Sequence, residues 1–542
     1  MLVFINHRYI DWSLSSNISD QHLYLDGVKQ GKDSVTRKQI LTFFAMGLGI
    51  LAVAMDITAI NVAIPAIEKT FKTDVETIQW LINGYILSFG VLMVTFGRLA
   101  DIFGRKKIFF MGLFIFGLAS LAGALSSSAA MIIAARVIQG VGGAMLWPCI
   151  IGILYSSVSD NQKSLAGGLL LGIAGIGNAA GPLIGGALTE FASWRWVLFV
   201  NVPVCIIAGI ITYIEVEEQK VQQEHSDVDY LGILTLSVSL VALLYALNVS
   251  PSWGWASYKT LSLLVIFAVV MVLFLVIETR KEDGLIPKDV MGNFQFMIAG
   301  TIMFTYIPGF FAILLYVTQY LEKFLNYSPL SAGAALVPML VFFAATSAIS
   351  AKVYNKIGAK LSIFIGMCLS IVGVVCVVLF GFSSGFYGLI PGYILCGIGL
   401  GFAVPSITTA AVSSVSESRG SLAGGIVYMF QLVGGAFGLA VATTIFTDLA
   451  KNDLINKLRD SSLSFSNAEQ SEIISFIVGS GTKQQITNSL GLEKFNEVIT
   501  HIHHAYITGV SGGLIFTAAL ASVGAFLAVF FVKGKVSQNN VE

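Results

Sequence analysis

Long apolar runs separated by short polar connections dominate this chain from residue 40 onward. A hydrocarbon core takes about 20 apolar residues per helical crossing. Fourteen stretches qualify, beginning near Ile40, Ile78, Ile108, Ala130, Leu165, Trp196, Tyr230, Thr260, Phe294, Ser331, Leu361, Phe386, Ser421 and Thr508. The pattern predicts an all-α, polytopic membrane protein with 14 transmembrane helices. Residues 1–36 are polar and mixed in charge and lack the apolar core and small-residue cleavage site of a secretory signal. They are expected either to form a disordered cytoplasmic tail or to precede the true start codon; residues 536–542 read as a second cytoplasmic tail.

Basic residues in the connections predict the topology, because cytoplasmic loops carry an excess of Lys and Arg. With the amino terminus inside, the inner connections hold seventeen, among them Arg98, Arg105, Lys106 and Lys107, whereas the short outer ones hold Lys69, Lys72, Arg195, Lys259 and Lys323. Both termini are therefore expected in the cytoplasm. Trp80, Trp194, Trp196, Trp253 and Trp255 fall at predicted outer ends, where an aromatic belt would sit.

The chain also repeats itself. Residues 140–168 and 397–425 align without a gap, matching Gly140, Gly142, Pro148, Ser157, Val158, Ser159 and the run Ser164 to Gly168 with Gly397, Gly399, Pro405, Ser414, Val415, Ser416 and Ser421 to Gly425. A weaker echo sets Gly104, Lys106, Phe110 and Gly112 over Gly358, Lys360, Phe364 and Gly366. The first six predicted helices thus recur as the last six in the same orientation. The expected organisation is a six-helix bundle over 37–214, an inserted pair of helices with linkers over 215–290, and a second six-helix bundle over 291–535 that includes a long outer loop, 448–506. Parallel repeats of this kind are the architecture of transporters that rock around a site near the midplane.

Composition narrows the function classes. Of 542 residues 56% are hydrophobic and only 11% charged, against about 25% charged in ordinary soluble domains. Mean hydropathy is +0.82. With 31 basic and 31 acidic residues and a net charge of zero, a soluble enzyme and a nucleic-acid binder are excluded. The five cysteines lie in apolar stretches without metal-ligand spacing, so no metal site is expected. No phosphate-binding G-x-x-x-x-G-K-[ST] loop occurs, so ATP is not the expected power source and no cofactor is expected beyond a proton gradient.

Charge within the bilayer costs roughly 2.5–3.5 kcal/mol on insertion scales, which makes a deep ionisable residue a functional candidate. Asp56 in the first stretch and Arg136 in the fourth lie about 12 and 9 Å from their outer ends at 1.5 Å per residue, so they can face each other. A carboxylate paired in one conformation and desolvated in another exchanges a proton between them; Asp56 is the expected proton carrier, the alternative being a permanent structural ion pair. The connection Gly97-Arg98-Leu99-Ala100-Asp101-Ile102-Phe103-Gly104-Arg105 combines turn-forming glycines with an acid able to cap a helix start. It reads as a conformational latch built on Gly97, Asp101, Gly104 and Arg105. In the fifth stretch Gly177, Gly181 and Gly185 recur every four residues, forming a small-residue face for close helix packing, and Pro182 permits a bend. Asn83, Tyr85, Gln139, Gln319, Tyr428 and Gln431 are candidate lining of a substrate cavity. His501, His503 and His504 read as a solvated or interfacial cluster rather than a metal site, with no acid or Cys at ligand spacing in the sequence.

Taken in order, these passages resemble the major facilitator superfamily, in particular its fourteen-helix EmrB/QacA-like drug:proton antiporter branch. The stretch Asp56 to Pro65 is similar to that branch's first-helix motif. Gly97 to Lys107 resembles motif A, with Ile102 where a basic residue is usual; Arg136, Gln139, Gly140 and Gly142 resemble motif B. Gly168, Gly177, Gly181, Pro182, Gly185 and Gly186 resemble motif C, and Trp194-Arg195-Trp196 with Asn201 and Pro203 the sixth-helix signature. The resemblance implies a multi-pass protein of the bacterial cytoplasmic (inner) membrane. It implies export of amphipathic drugs or other organic compounds in exchange for protons, with Asp56 and Arg136 in coupling. Expected partners are a small-molecule substrate, protons and the lipid bilayer; Gram-negative relatives also work with a periplasmic adaptor and an outer-membrane channel, an open option for this chain, which shows no separate adaptor domain of its own. The second deep acid that some relatives use for dicationic drugs has no counterpart here. The alternative in the same class is an exporter of an endogenous lipid, siderophore or metabolite; a polytopic membrane enzyme or sensor would show clustered nucleophile chemistry that the sequence lacks.

Overall fold

A computed structural model of the chain describes residues 36–534 apart from 74, 218–227, 282–283, 383–384, 461–465 and 479–482. Residues 1–35 of the first expected tail and the whole of the second lie outside the described residues. The helices are α1 (Arg37–Phe71), α2 (Val75–Phe103), α3 (Arg105–Ala124), α4 (Ala129–Ser156), α5 (Asp160–Phe191), α6 (Arg195–Phe199), α7 (Asn201–Glu215), α8 (Tyr230–Trp253), α9 (Tyr258–Arg280), α10 (Lys288–Met291), α11 (Phe294–Tyr306), α12 (Pro308–Lys323) and α13 (Pro329–Ala334). They continue with α14 (Val337–Cys376), α15 (Gly385–Val412), α16 (Gly420–Asp460), α17 (Asn467–Val478), α18 (Lys483–Leu490) and α19 (Leu492–Phe531). No strand occurs among the described residues.

Helix starts follow ordinary capping chemistry. Thr36 and Gln39 form a capping box on α1, Ser128 accepts the Met131 N–H at 3.2 Å, Asp229 the Gly232 N–H at 2.8 Å and Asn293 the Phe296 N–H at 3.1 Å. Thirteen helical stretches among the described residues are long and apolar enough to cross a membrane. One of them, Ser331–Gly381, is two crossings. Met339 and Gly373 would stand about 50 Å apart in a straight helix, yet Met339 lies against Gly397 and Gly373 against the adjacent Cys396. The chain reverses between them at Gly358, whose φ of 84° and ψ of 169° suit glycine alone. Fourteen crossings result, as the apolar runs predict. Gly104, aligned with Gly358 in the sequence repeat, also has positive φ, 103°, and α4 and α15, the best-matched repeat pair, are both 28 residues long and carry the aligned internal prolines Pro148 and Pro405.

Long α16 and α19 account for much of the predicted outer segment, because apolar positions keep helical spacing beyond the membrane: Ala450, Leu454, Val498 and Ile502 are all buried. Between them α17 and α18 cover the second bundle, where Lys323 donates to the Phe476 carbonyl at 2.6 Å. Of the inserted pair, α9 is the peripheral helix; Val265, Val269 and Val272 are each about 60% exposed, which for such residues in a spanning helix means contact with lipid. Trp194 departs from the expected aromatic belt: it is buried, stacked edge-on against Phe71, with its indole N–H donated to Thr70 at 3.1 Å.

Candidate functional site

Five helices of the first bundle converge on one buried carboxylate. Asp56 of α1 is 0% exposed and Arg136 of α4 1%. Arg136 Nη1 donates to Asp56 Oδ2. The other oxygen, Oδ1, accepts the Gln139 amide at 3.0 Å and the Asn201 amide, from α7, at 2.8 Å. Gln139 also donates to Ser120 of α3 at 2.8 Å and accepts from Arg136 at 2.6 Å. Arg136 Nε is held by the Leu81 carbonyl of α2 at 3.1 Å, and its guanidinium lies 4.2 Å from the centre of the Tyr85 ring. Burial of a charged pair is tolerable only when the remaining lone pairs and protons are met in this way. Asn201 Oδ1 is buried without a hydrogen-bond partner among the described residues.

Sequence reasoning pairs Asp56 with Arg136 but misses the rest of this cluster. Asn201 stands in a recognisable motif without any sign of its target; Ser120 carries no signal at all. Gln139 and Tyr85, read as cavity lining, are instead buried around the ion pair.

The glycine face of α5 packs on the helix that carries Asp56. A Cβ at Gly181 would come 1.9 Å from Thr58 Oγ1 and 2.8 Å from the Met55 carbonyl; at Gly185 it would come 2.5 Å from the Ala59 carbonyl, and at Gly177 3.1 Å from Ala54. Nearer its start, α5 packs on the second bundle, with Gly168 against Ser347 and Gly175 against Phe343. The helix continues unbroken through Pro182, whose ring faces Gly333.

At the predicted inner end the two bundles are fastened together. Asp101 accepts the backbone N–H groups of Ser421 (3.2 Å) and Leu422 (2.8 Å) at the start of α16, where unpaired helical donors and the helix dipole favour an anion. Arg105 completes the fastening with bonds to Asp101 (2.9 Å) and to the carbonyls of Gly152 (3.1 Å) and Glu417 (2.6 Å). Gly97 permits the approach, since a Cβ there would meet the Ser421 carbonyl at 2.8 Å. Tyr155 and Thr409 bond across the same interface at 3.2 Å. Farther into the membrane Tyr428 rests on Trp147, ring centres 4.2 Å apart.

A cavity of ≈ 390 Å³ lies in the other half, between α2, α8, α12 and α16. Asn83 lines it; Tyr428, Gln319 and Gln431 are half-buried and outside its lining. Among the histidines, His504 bonds Asp453 of α16 at 3.1 Å, an acid 51 residues away that ligand spacing cannot reveal, and His503 stacks on Tyr320 and Phe324. Among the described residues no group of three His, Cys, Asp or Glu is placed to hold a metal.

Comparison with known proteins agrees with this architecture. The family model described as Major Facilitator Superfamily matches residues 46–439. The chain is 28% identical over 510 residues to the tetracenomycin C resistance and export protein of Streptomyces glaucescens, covering 92% of this chain and 93% of that protein. It is 32% identical over 410 residues to the puromycin resistance protein of Streptomyces alboniger, covering 73% and 80%, and 29% identical over 416 residues to the methylenomycin A resistance protein of Bacillus subtilis, covering 76% and 89%. In fold it is similar to the human organic anion transporter MFSD10, with a TM-score of 0.56 at 14% identity, covering 90% of this chain and 98% of that one.

Proposed function

The chain belongs to the Major Facilitator Superfamily and is a multi-pass membrane transporter, and from that premise we propose that it exports amphipathic organic compounds, antibiotics among them, in exchange for protons across the bacterial cytoplasmic membrane. Direction rests on the relative named for tetracenomycin C resistance and export, and substrate class on it together with the relatives named for puromycin and methylenomycin A resistance. Proton exchange rests on one observation, the fully buried Asp56 held by Arg136, Gln139 and Asn201.

As a carboxylate, Asp56 ties α1 to α4 and α7. As a carboxylic acid it presents an O–H, which the Asn201 amide can accept by turning its unpartnered oxygen toward Asp56, and its attraction for Arg136 falls. Arg136 keeps the Leu81 carbonyl, the Gln139 oxygen and the Tyr85 ring, so the cation is not stranded when the pair loosens. The freed α1 can then shift along the small-residue face of α5, whose other end rests on the second bundle. Rocking of the bundles opens the inner fastening and closes the outer half, which is alternating access. A proton moving down 100 mV contributes about 2.3 kcal/mol per charge.

The test is proton and substrate flux in proteoliposomes, with tetracenomycin C, puromycin and methylenomycin A as substrates. Asp56→Asn is expected to abolish proton-driven efflux while the protein stays in the membrane. Undiminished exchange in that variant would remove Asp56 from the coupling, and no transport of any compound by the unsubstituted protein would overturn the exporter reading.

A further inference from the structure

The inserted pair has no counterpart in either bundle, yet it touches both. Asn248 of α8 exchanges two amide hydrogen bonds with Asn83 of α2, each 3.4 Å. Trp255, in the α8–α9 connection, donates its indole N–H to Thr444 of α16 at 2.7 Å. Between these two attachments lies the ≈ 390 Å³ cavity, walled by α2, α8, α12 and α16. We propose that this cavity is a ligand subsite for uncharged, largely apolar aromatic compounds that carry a hydrogen-bonding group, with α8 as one of its walls.

Size, polarity and geometry each support that occupant. The volume falls within the range of about 300–1,000 Å³ typical of small-molecule sites. No Asp, Glu, Lys, Arg or His lines it, so a charged group inside would be unpaired at high cost. Leu244, Leu247 and Phe311 supply apolar surface; Gly435 admits the Phe311 ring, which a Cβ there would approach to 2.6 Å. Thr443 already bonds Tyr316 at 2.8 Å, which leaves Asn83 and Asn248 as the polar pair. Each amide has two N–H donors and two acceptor lone pairs, so their mutual exchange leaves one N–H on each for a third group. At 3.4 Å these bonds are long, and a ligand can displace one. A lipid acyl chain would leave the amides unmet, which favours a ligand with a polar group.

This inference deepens the exporter reading and is tested apart from it. The full chain in lipid nanodiscs is titrated with N-phenyl-1-naphthylamine, an uncharged aromatic amine that brightens in apolar surroundings, with empty nanodiscs as background. Saturable binding is expected; Leu247→Trp, which fills the cavity, should weaken it tenfold or more, Asn248→Ala about fivefold, and Val265→Trp on the lipid face not at all. Monodisperse elution identifies variants that fold, and Asn248→Ala removes too little volume to threaten packing. No saturable binding to the unsubstituted protein, unchanged binding in both cavity variants, or a co-purifying lipid that the amine cannot displace would each overturn the subsite. Saturable binding without transport by the unsubstituted protein would instead sink the exporter reading and leave the subsite standing.

Discussion

Asn201 reaches Asp56 from a helix 145 residues away and donates to its Oδ1 at 2.8 Å. The bond places α7 in the same charge cluster as α1 and α4. A hydrogen bond to a charged group is worth roughly 1.5–3 kcal/mol. Asn201→Ala is therefore expected to slow proton-driven efflux by about tenfold or more without lowering the amount of protein in the membrane. Initial rates in proteoliposomes measure this, and wild-type rates would show that Asn201 merely packs.

The fastening by Asp101 can be read through accessibility. Its carboxylate holds two backbone donors of α16, and removing it should destabilise the inner-closed arrangement by about 1.5–3 kcal/mol, using the same range for charged bonds. With Thr409, buried behind that closure, replaced by Cys as a reporter, Asp101→Ala should raise its labelling by an impermeant maleimide from the inner side by tenfold or more. Equal labelling with and without Asp101 would mean that closure is held elsewhere.

Close packing of α5 on α1 gives a paired test within one helix. Gly181→Ala drives a methyl to 1.9 Å from Thr58 Oγ1, whereas at Gly172 the nearest atom, the Ala344 carbonyl oxygen, is 3.4 Å away. Overpacking costs about 1–3 kcal/mol. Gly181→Ala should lower the melting temperature in detergent by several degrees and impair transport; Gly172→Ala should do neither. Equal behaviour of the two would contradict the packing described.

Asp229 supplies a pH dependence outside the membrane-spanning segments. Burial disfavours its charge, but the Lys281 ammonium at 2.5 Å and the Gly232 N–H outweigh that and hold its carboxyl below the usual range. A group whose folded-state pKa is lowered stabilises the fold above its unfolded value, and that contribution disappears as pH falls through the folded one. Asp229→Asn should thus melt earlier than the parent at pH 7, with the gap closing below the ordinary carboxylate range, near pH 4. Melting curves across pH decide it; a gap that persists at the acid end would point to packing.

The crossings are legible in the sequence because hydrophobic runs of fixed length have few alternatives in a bilayer. Asp56 and Arg136 are legible because deep charge is costly and their depths agree. What the residue order hides is contact between distant helices. Nothing about Asn201 or Ser120 marks them as partners of Asp56, and Asp453 cannot be matched to His504 until α16 and α19 lie side by side. Tyr85 and Gln139 show the converse: polar groups within spans look alike whether they face a cavity or satisfy a neighbour. The cavity beside α8 has no signature, since its lining comes from four separate helices.

A clasp made from an acid and two main-chain donors is lopsided in what substitution can reach. Exchanging the side chains of Ser421 or Leu422 leaves those N–H groups in place, so such changes reach the clasp only through the packing of two fully buried residues, while every replacement of Asp101 removes the acceptor itself. On the receiving side it is the helix start and its close packing on Gly97, rather than any side-chain chemistry, that the clasp requires.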